Sequence, residues 1–204
     1  MNRDKYRRKA PAMQIKDRVL IMCGAQTEEI YFNQFKEKNR GVLRNVTVIV
    51  VAFKKSNPLA VVEAAITRKD DYDEVWAVFD KDDFVDFEKA IALAESSGIN
   101  CAFSNEAIEY WFLLHIENKT GAISRNVLKK ELERKLDIEY DKSEESVRRI
   151  CRKIDSKIVV AEERARIGHE RHIIHSGSNP SDWRSCTTVY ALTRRLREWG
   201  YAKK

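Results

Sequence analysis

The stretch EVWAVFDKDD, residues 74–83, sets five apolar residues (75–79) directly before the carboxylates of Asp80, Asp82 and Asp83. A short run that is apolar at every position and rich in Val and aromatics predicts a strand buried on both faces. Strands of that kind belong to parallel sheets covered by helices. Carboxylates at the edge of a core are costly unless a cation or hydrogen-bond donors compensate them. In open parallel sheets that edge, beyond the carboxyl ends of the strands, is where functional crevices form.

On both sides of this strand the same unit repeats. RVLIMCG (18–24) predicts a strand closed by a tight turn at Gly24, and QTEEIYFNQFKEKN (26–39) a helix with Thr27 as N-cap. NVTVIVVAF (45–53) is rich in β-branched residues, and SNPLAVVEAAITRK (56–69) opens with Asn57 as cap and Pro58 in the first helical position. A helix over 84–98 ending at Gly98 and a strand over 99–105 complete the alternation. Beyond residue 105 the β signal fades. Helices are predicted over 106–118, over 124–136 with Ser124 as cap, over 143–167 as one long rod, and over 185–200, with HSGSNPSDW (175–183) as a break. The expected fold is α/β: a Rossmann-like parallel sheet with helices on both faces, plus a C-terminal helical lobe. The expected organisation is a basic arm at 1–17, an α/β core at 18–118 and a helical lobe at 119–204 packed on it.

Composition bounds the function. No segment approaches the about 20 uninterrupted apolar residues of a membrane span, and the basic start MNRDKYRRKAPAMQ lacks a secretory apolar stretch. A cytoplasmic protein with no membrane association is expected. Cys23, Cys101, Cys151 and Cys186 show no C-x-x-C spacing and are expected to be reduced and buried. The net charge of +6 suits a polyanionic partner.

In a basic protein, three clustered acids need a counter-charge. If strand geometry continues past Asp80, then Asp80 and Asp82 point the same way about 6–7 Å apart, a separation that a divalent cation bridges through oxygen ligands or water. The alternative is a surface turn in which Asp82 caps the next helix and Lys81 offsets the charge. MCGAQTEE, the end of the first strand, shares the crevice if the first and third strands are neighbours. It brings Glu28 and Glu29, which also complement the dipole of the helix they begin, and whose backbone amides suit a phosphate.

MCGAQTEEIYF, VWAVFDKDDF, AFSNEAIEYWFLLHI and NPSDWRSCTTVYAL, in that order, resemble the successive blocks of the RloB-like family, also called AbiLii-like. The resemblance implies a Toprim-type fold and a Mg²⁺- or Mn²⁺-dependent nuclease-like effector of bacterial anti-phage systems, acting with an AAA-type ATPase. Carried over by motif, the D-x-D pair falls on Asp80 and Asp82, the T-E pair on Thr27 and Glu28, and the glutamate of the S-N-P-x-x-E-x-W block on Glu109. The implied metal set is Asp80, Asp82 and Asp83, and the implied catalytic set Asp80, Asp82 and Glu28. Two positions depart from the pattern. Cys23 stands where a glutamate is expected at the end of the first strand, and Glu106 replaces the proline after Ser-Asn. Glu28, one turn onward, is the nearest substitute acid.

The chemistry expected of this set is phosphodiester cleavage of DNA or tRNA, with Glu28 or a water as base. A second reading keeps the fold without catalysis, as a nucleic-acid- or ATPase-binding regulatory subunit, and a homodimer is compatible with either. A D-x-D phosphatase with Asp80 as nucleophile fits less well, because Asp83 and Phe84 follow where small residues and a Thr are usual. Thr27, Arg148, Arg152 and Arg184 are candidate nucleic-acid contacts, although a solvated helix face is the default for the stripe Arg148, Arg149, Arg152, Lys153 and Lys157. His169, His172 and His175 are spaced by three, so the third drifts off the shared helix face and a zinc site is awkward. Trp111 to Leu114 are expected in the core.

Overall fold

A computed structural model describes residues 17–53, 57–177 and 179–199. The basic arm expected at 1–17 therefore lies outside the described residues, apart from Asp17. The alternating half runs β1 (Asp17–Cys23), α1 (Gln26–Lys38), β2 (Val46–Ala52), α2 (Pro58–Ile66), β3 (Glu74–Asp80), α3 (Phe87–Ser97) and β4 (Asn100–Asn105). The helical half runs α4 (Glu109–Leu114), α5 (Arg125–Leu136), α6 (Glu144–Ile154) and α7 (Ile158–His175), then a two-residue strand β5 (Cys186–Thr187) and α8 (Val189–Trp199).

The sheet has the order β2-β1-β3-β4-β5. Its first four strands are parallel, and β1 lies beside β3 in a register that pairs Val19 with Glu74 and Cys23 with Val78. Because side chains alternate across a strand, each central strand feeds two cores. Val19, Ile21 and Cys23 join Trp76 and Val78 beneath α1, α4, α6 and α8. Leu20 and Met22 join Val75, Ala77 and Phe79 beneath α2 and α3. The first cluster takes Tyr31 and Phe32 from α1, Trp111 and Phe112 from α4, and Ile150, Leu192 and Leu196 from the later helices. Side chains of the alternating half and of the helical half are thus in one apolar cluster, and burying each such large side chain stabilises the fold by about 1.5–3 kcal/mol. Trp111 to Leu114 are fully buried.

Local chemistry accounts for the element ends. Asn57 Oδ1 accepts the Ala60 N–H at 2.8 Å, with Pro58 inside the first turn of α2. Gly98 ends α3 in the left-handed region, at φ 66°, where a side chain would be strained. Gly24 serves close approach: a Cβ there would lie 3.3 Å from Val61 Cγ2, and its N–H donates to the Val78 carbonyl at 2.8 Å.

Several sequence-based boundaries need correction. Ala25, not Thr27, is the N-cap of α1; Thr27 is buried within the first turn. The helix expected from 84 starts at Phe87, because Phe84 N–H closes a turn on Lys81 and leaves Val85 fully in solvent. The helix expected over 106–118 is shortened to α4. Glu106 is held outside it by hydrogen bonds from the backbone N–H groups of Asp82 (3.0 Å) and Arg125 (3.0 Å). The rod expected over 143–167 is broken by a 3₁₀ turn at Asp155–Lys157, where Asp155 meets Lys38 at 2.8 Å. The chain turns there because α6 packs on α1, whereas α7 packs on α4, α8 and β5. Finally, 186–187 is an antiparallel strand on β4, so α8 begins at Val189. Among the described residues no helix is long and apolar enough to cross a membrane.

Candidate active site at the carboxyl edge of the sheet

Three chain segments converge where β1 and β3 end. Asp80 is the last residue of β3, in the side-chain phase of Trp76 and Val78, and so faces the α1 side of the sheet. Gly24 lets the chain turn directly into α1, whose first turn buries Glu28 to 1% exposure. After β4 the chain enters α4 through Glu109, which is fully buried. A fourth carboxylate, on Asp82, stands at the rim.

These four groups act on one another electrostatically. Burial, opposed by a backbone hydrogen bond, and then the charge of Glu109, raise the Glu28 carboxyl from 4.5 to about 7, with Lys142 pulling it back and Asp82 adding to the rise. Asp80 is raised well above the ordinary carboxylate range by burial first and then by Glu28, Glu109 and Asp82. Asp82 is raised by burial against the opposing pull of Arg125 and Lys142. Glu28, Asp80 and Asp82 thus lie within electrostatic range of one another.

The counter-charges are protein cations. Lys142 Nζ lies 2.8 Å from Glu109 Oε1, and the Tyr140 hydroxyl donates to the same oxygen at 2.8 Å. Desolvation lowers the Lys142 ammonium, but Glu109 outweighs it, so its pKa is raised. Arg125 pairs with Asp82. Strand geometry does not continue past Asp80: Asp82 adopts φ 40° and its backbone N–H bonds to Glu106. The expected side-by-side Asp80 and Asp82 is corrected accordingly, since Asp82 is turned towards Arg125. Nor does Asp82 cap α3, whose N-cap is Asp86. The peptide bond between Asn105 and Glu106 is cis.

Even with these partners, Oε2 of Glu28 and Oε2 of Glu109 are buried without a hydrogen bond. An all-oxygen donor set with two orphaned carboxylate oxygens fits a hard divalent cation. Among the described residues, however, no three His, Cys, Asp or Glu side chains converge at ligating spacing. A Mg²⁺-like ion is compatible with that, because it is commonly held by one or two carboxylates and retains several waters. Asp83, in the expected metal set, is exposed at the rim. Cys23 is fully buried in the phase of Val19 and Ile21, and its thiol is raised well above its ordinary value by burial and by Glu28 and Glu29, which keeps it protonated.

The candidate nucleic-acid residues separate. Thr27 is buried beside Glu28. Arg184 is exposed, next to Ser185, whose hydroxyl ties the Gly121 and Ile123 backbone to the carboxyl end of β4. Arg148 pairs with Glu144 on the outer face of α6. Arg152 lines a cavity of about 340 Å³ with Lys38, Asp155 and His115. Lys38 is ten residues along α1 from Glu28, about 15 Å away, so Arg152 lies outside the acidic crevice. The histidines do not converge: His169 Nδ1 is 3.1 Å from the Tyr190 hydroxyl, and His172 Nδ1 is 2.9 Å from Ser176 Oγ.

Arg125, Tyr140 and Lys142 were not legible as site residues. They lie in the helical half, in polar loops or at a helix start, and only tertiary packing returns them to the crevice. The block NPSDWRSCTT resolves into structural roles: Thr188 Oγ1 accepts from Phe103 N–H at 2.9 Å, Thr187 meets Ser104 at 3.0 Å, and Asn105 donates to the Pro180 and Ser181 carbonyls.

A family model described as RloB-like protein matches residues 19–196. No curated protein and no solved structure matches.

Proposed function

Because the chain belongs to the RloB-like protein family, we propose that it is a metal-dependent nuclease-like effector that cleaves phosphodiester bonds of DNA or RNA in a bacterial anti-phage system with an AAA-type ATPase. The observation that carries this reading is the acidic cluster of Glu28, Asp80, Asp82 and Glu109 at the carboxyl edge of β1 and β3. Asp80 and Glu109 would hold the divalent ion together with waters, with Asp82 joining when Arg125 releases it. The ion supplies charge neutralisation for a phosphate and acidifies bound water.

The chain's own residues do the rest. Glu28, with its carboxyl raised to about 7, exchanges a proton near neutral pH, which suits a general base drawing a proton from a water. Tyr140 fixes Glu109 by holding one of its oxygens. Arg125 beside Asp82 and the exposed Arg184 would attract the polyanion. Incubating the purified chain, alone and with a candidate AAA-type ATPase partner, with labelled DNA and tRNA and Mg²⁺ or Mn²⁺ tests the reading. Cleavage that disappears in Asp80→Ala is expected; no cleavage in any combination, or cleavage indifferent to Asp80→Ala, rejects it.

A regulatory, non-catalytic subunit is favoured by two observations: a protonated Cys23 stands where the pattern has an acid, and two of the four carboxylates already carry protein cations. Stable binding of nucleic acid or ATPase without turnover would select it.

A further inference from the structure

Arg125 and Lys142 come from one stretch, residues 119–143, between α4 and α6, which brings both cations onto carboxylates of the acidic cluster. We propose that these two side chains are built-in counter-ions which a divalent cation must displace, so that the 119–143 segment gates metal entry. This rests on the metal-binding reading above and specifies how that site is regulated.

The argument starts from an asymmetry of burial. In each pair the cation is the exposed partner and the carboxylate the enclosed one: Lys142 is 46% exposed against 1% for Glu109, and Arg125 42% against 25% for Asp82. Long flexible cations at the rim can swing into water once another positive charge replaces them, whereas a carboxylate fixed by the core cannot follow. Glu109 is fixed further, because Tyr140 holds the oxygen that also meets Lys142. The exchangeable member of each pair is therefore the one on the 119–143 segment.

Charge and donor capacity agree. Two protein cations, Arg125 and Lys142, face the four carboxylates of Glu28, Asp80, Asp82 and Glu109, which leaves negative charge for a divalent ion to meet. The oxygens left without hydrogen-bond partners, Oε2 of Glu28 and Oε2 of Glu109, are almost completely buried, and neither protein cation satisfies them. Arg125 is anchored by its own N–H to Glu106, so its side chain can leave while its helix stays.

The test is a Mn²⁺ titration of the full chain, read by electron paramagnetic resonance, comparing wild type with Arg125→Gln, Lys142→Gln and Asp80→Asn, each checked for folding by circular dichroism. Both Gln variants are expected to bind Mn²⁺ about fivefold or more tighter than wild type, the equivalent of about 1 kcal/mol of ion pair. Asp80→Asn is expected to bind far more weakly. If wild type binds Mn²⁺ through Asp80 but neither Gln variant binds more tightly, the gate is wrong and the metal site stands. If no folded protein binds Mn²⁺, or Asp80→Asn changes nothing, both fall. Should Lys142→Gln unfold, Arg125→Gln decides alone, since its side chain is half exposed.

Discussion

Glu109 and Glu144 each hold a basic side chain through one carboxylate oxygen, but in different surroundings. Glu109 is enclosed beneath the mouth of the crevice with Lys142 2.8 Å away. Glu144 lies on the open face of α6 and meets Arg148 within a single helix. The first pair has paid for leaving water and cannot be separated cheaply; the second is solvated whether or not it forms. The contrast explains why an acid-rich, base-rich sequence shows few sites of consequence, and why the number of ion pairs says little about where function resides.

The sharpest way to break this comparison is at Asp80. Asp80→Ala should reduce metal-dependent cleavage by about 100-fold or more, measured as initial rates on labelled DNA or tRNA. Next is Lys142→Ala, which strands the buried Glu109; a loss of about 3 kcal/mol in urea unfolding is expected, part of it restored by Mn²⁺. A smaller effect, of opposite sign, belongs to Glu28. Its carboxyl is raised from 4.5 to about 7, so the folded state holds a proton the unfolded chain has lost. The stability it contributes is complete below about pH 4.5 and is lost as pH rises through about 7. Glu28→Gln mimics the protonated form, so it should match wild type near pH 4.5 and be more stable at pH 8 by about 2 kcal/mol, read from chemical denaturation at the two pH values. The smallest effect is Arg148→Ala on α6, about 0.5 kcal/mol or less; a large loss there would overturn the distinction.

What the sequence disclosed follows the range of the forces involved. β3 is legible residue for residue, because 75–79 is apolar on both faces and Asp80 is the first residue that water or an ion must reach. The neighbouring position of β1, the Asn57 cap and the Gly98 stop were equally open to reading, since each depends on a local rule. The break at 155–157 was not, because apolar periodicity continues through it and only the competing surfaces of α1 and α8 turn the chain. Strand β5 was hidden for a related reason: two residues carry no periodicity, and Thr187 and Thr188 become strand-like only by bonding to Phe103 and Ser104. In the site, Asp80, Asp82 and Glu28 were named from their place after the third and first strands, and Glu109 from the family resemblance. Arg125, Tyr140 and Lys142 were not, because nothing within a few positions of them signals an acidic pocket, and they reach it from far along the chain.

The indole of Trp199 donates to Asp17 at 3.0 Å, joining the first residue of β1 to the last of α8. Both lie at the amino edge of the sheet, about 20 Å of strand away from Asp80. Dyes or surface linkers attached near these two residues would therefore sit side by side on the quiet flank of the molecule. Single-molecule recordings through such handles could follow docking of the final helix while leaving the acidic mouth open to polynucleotide.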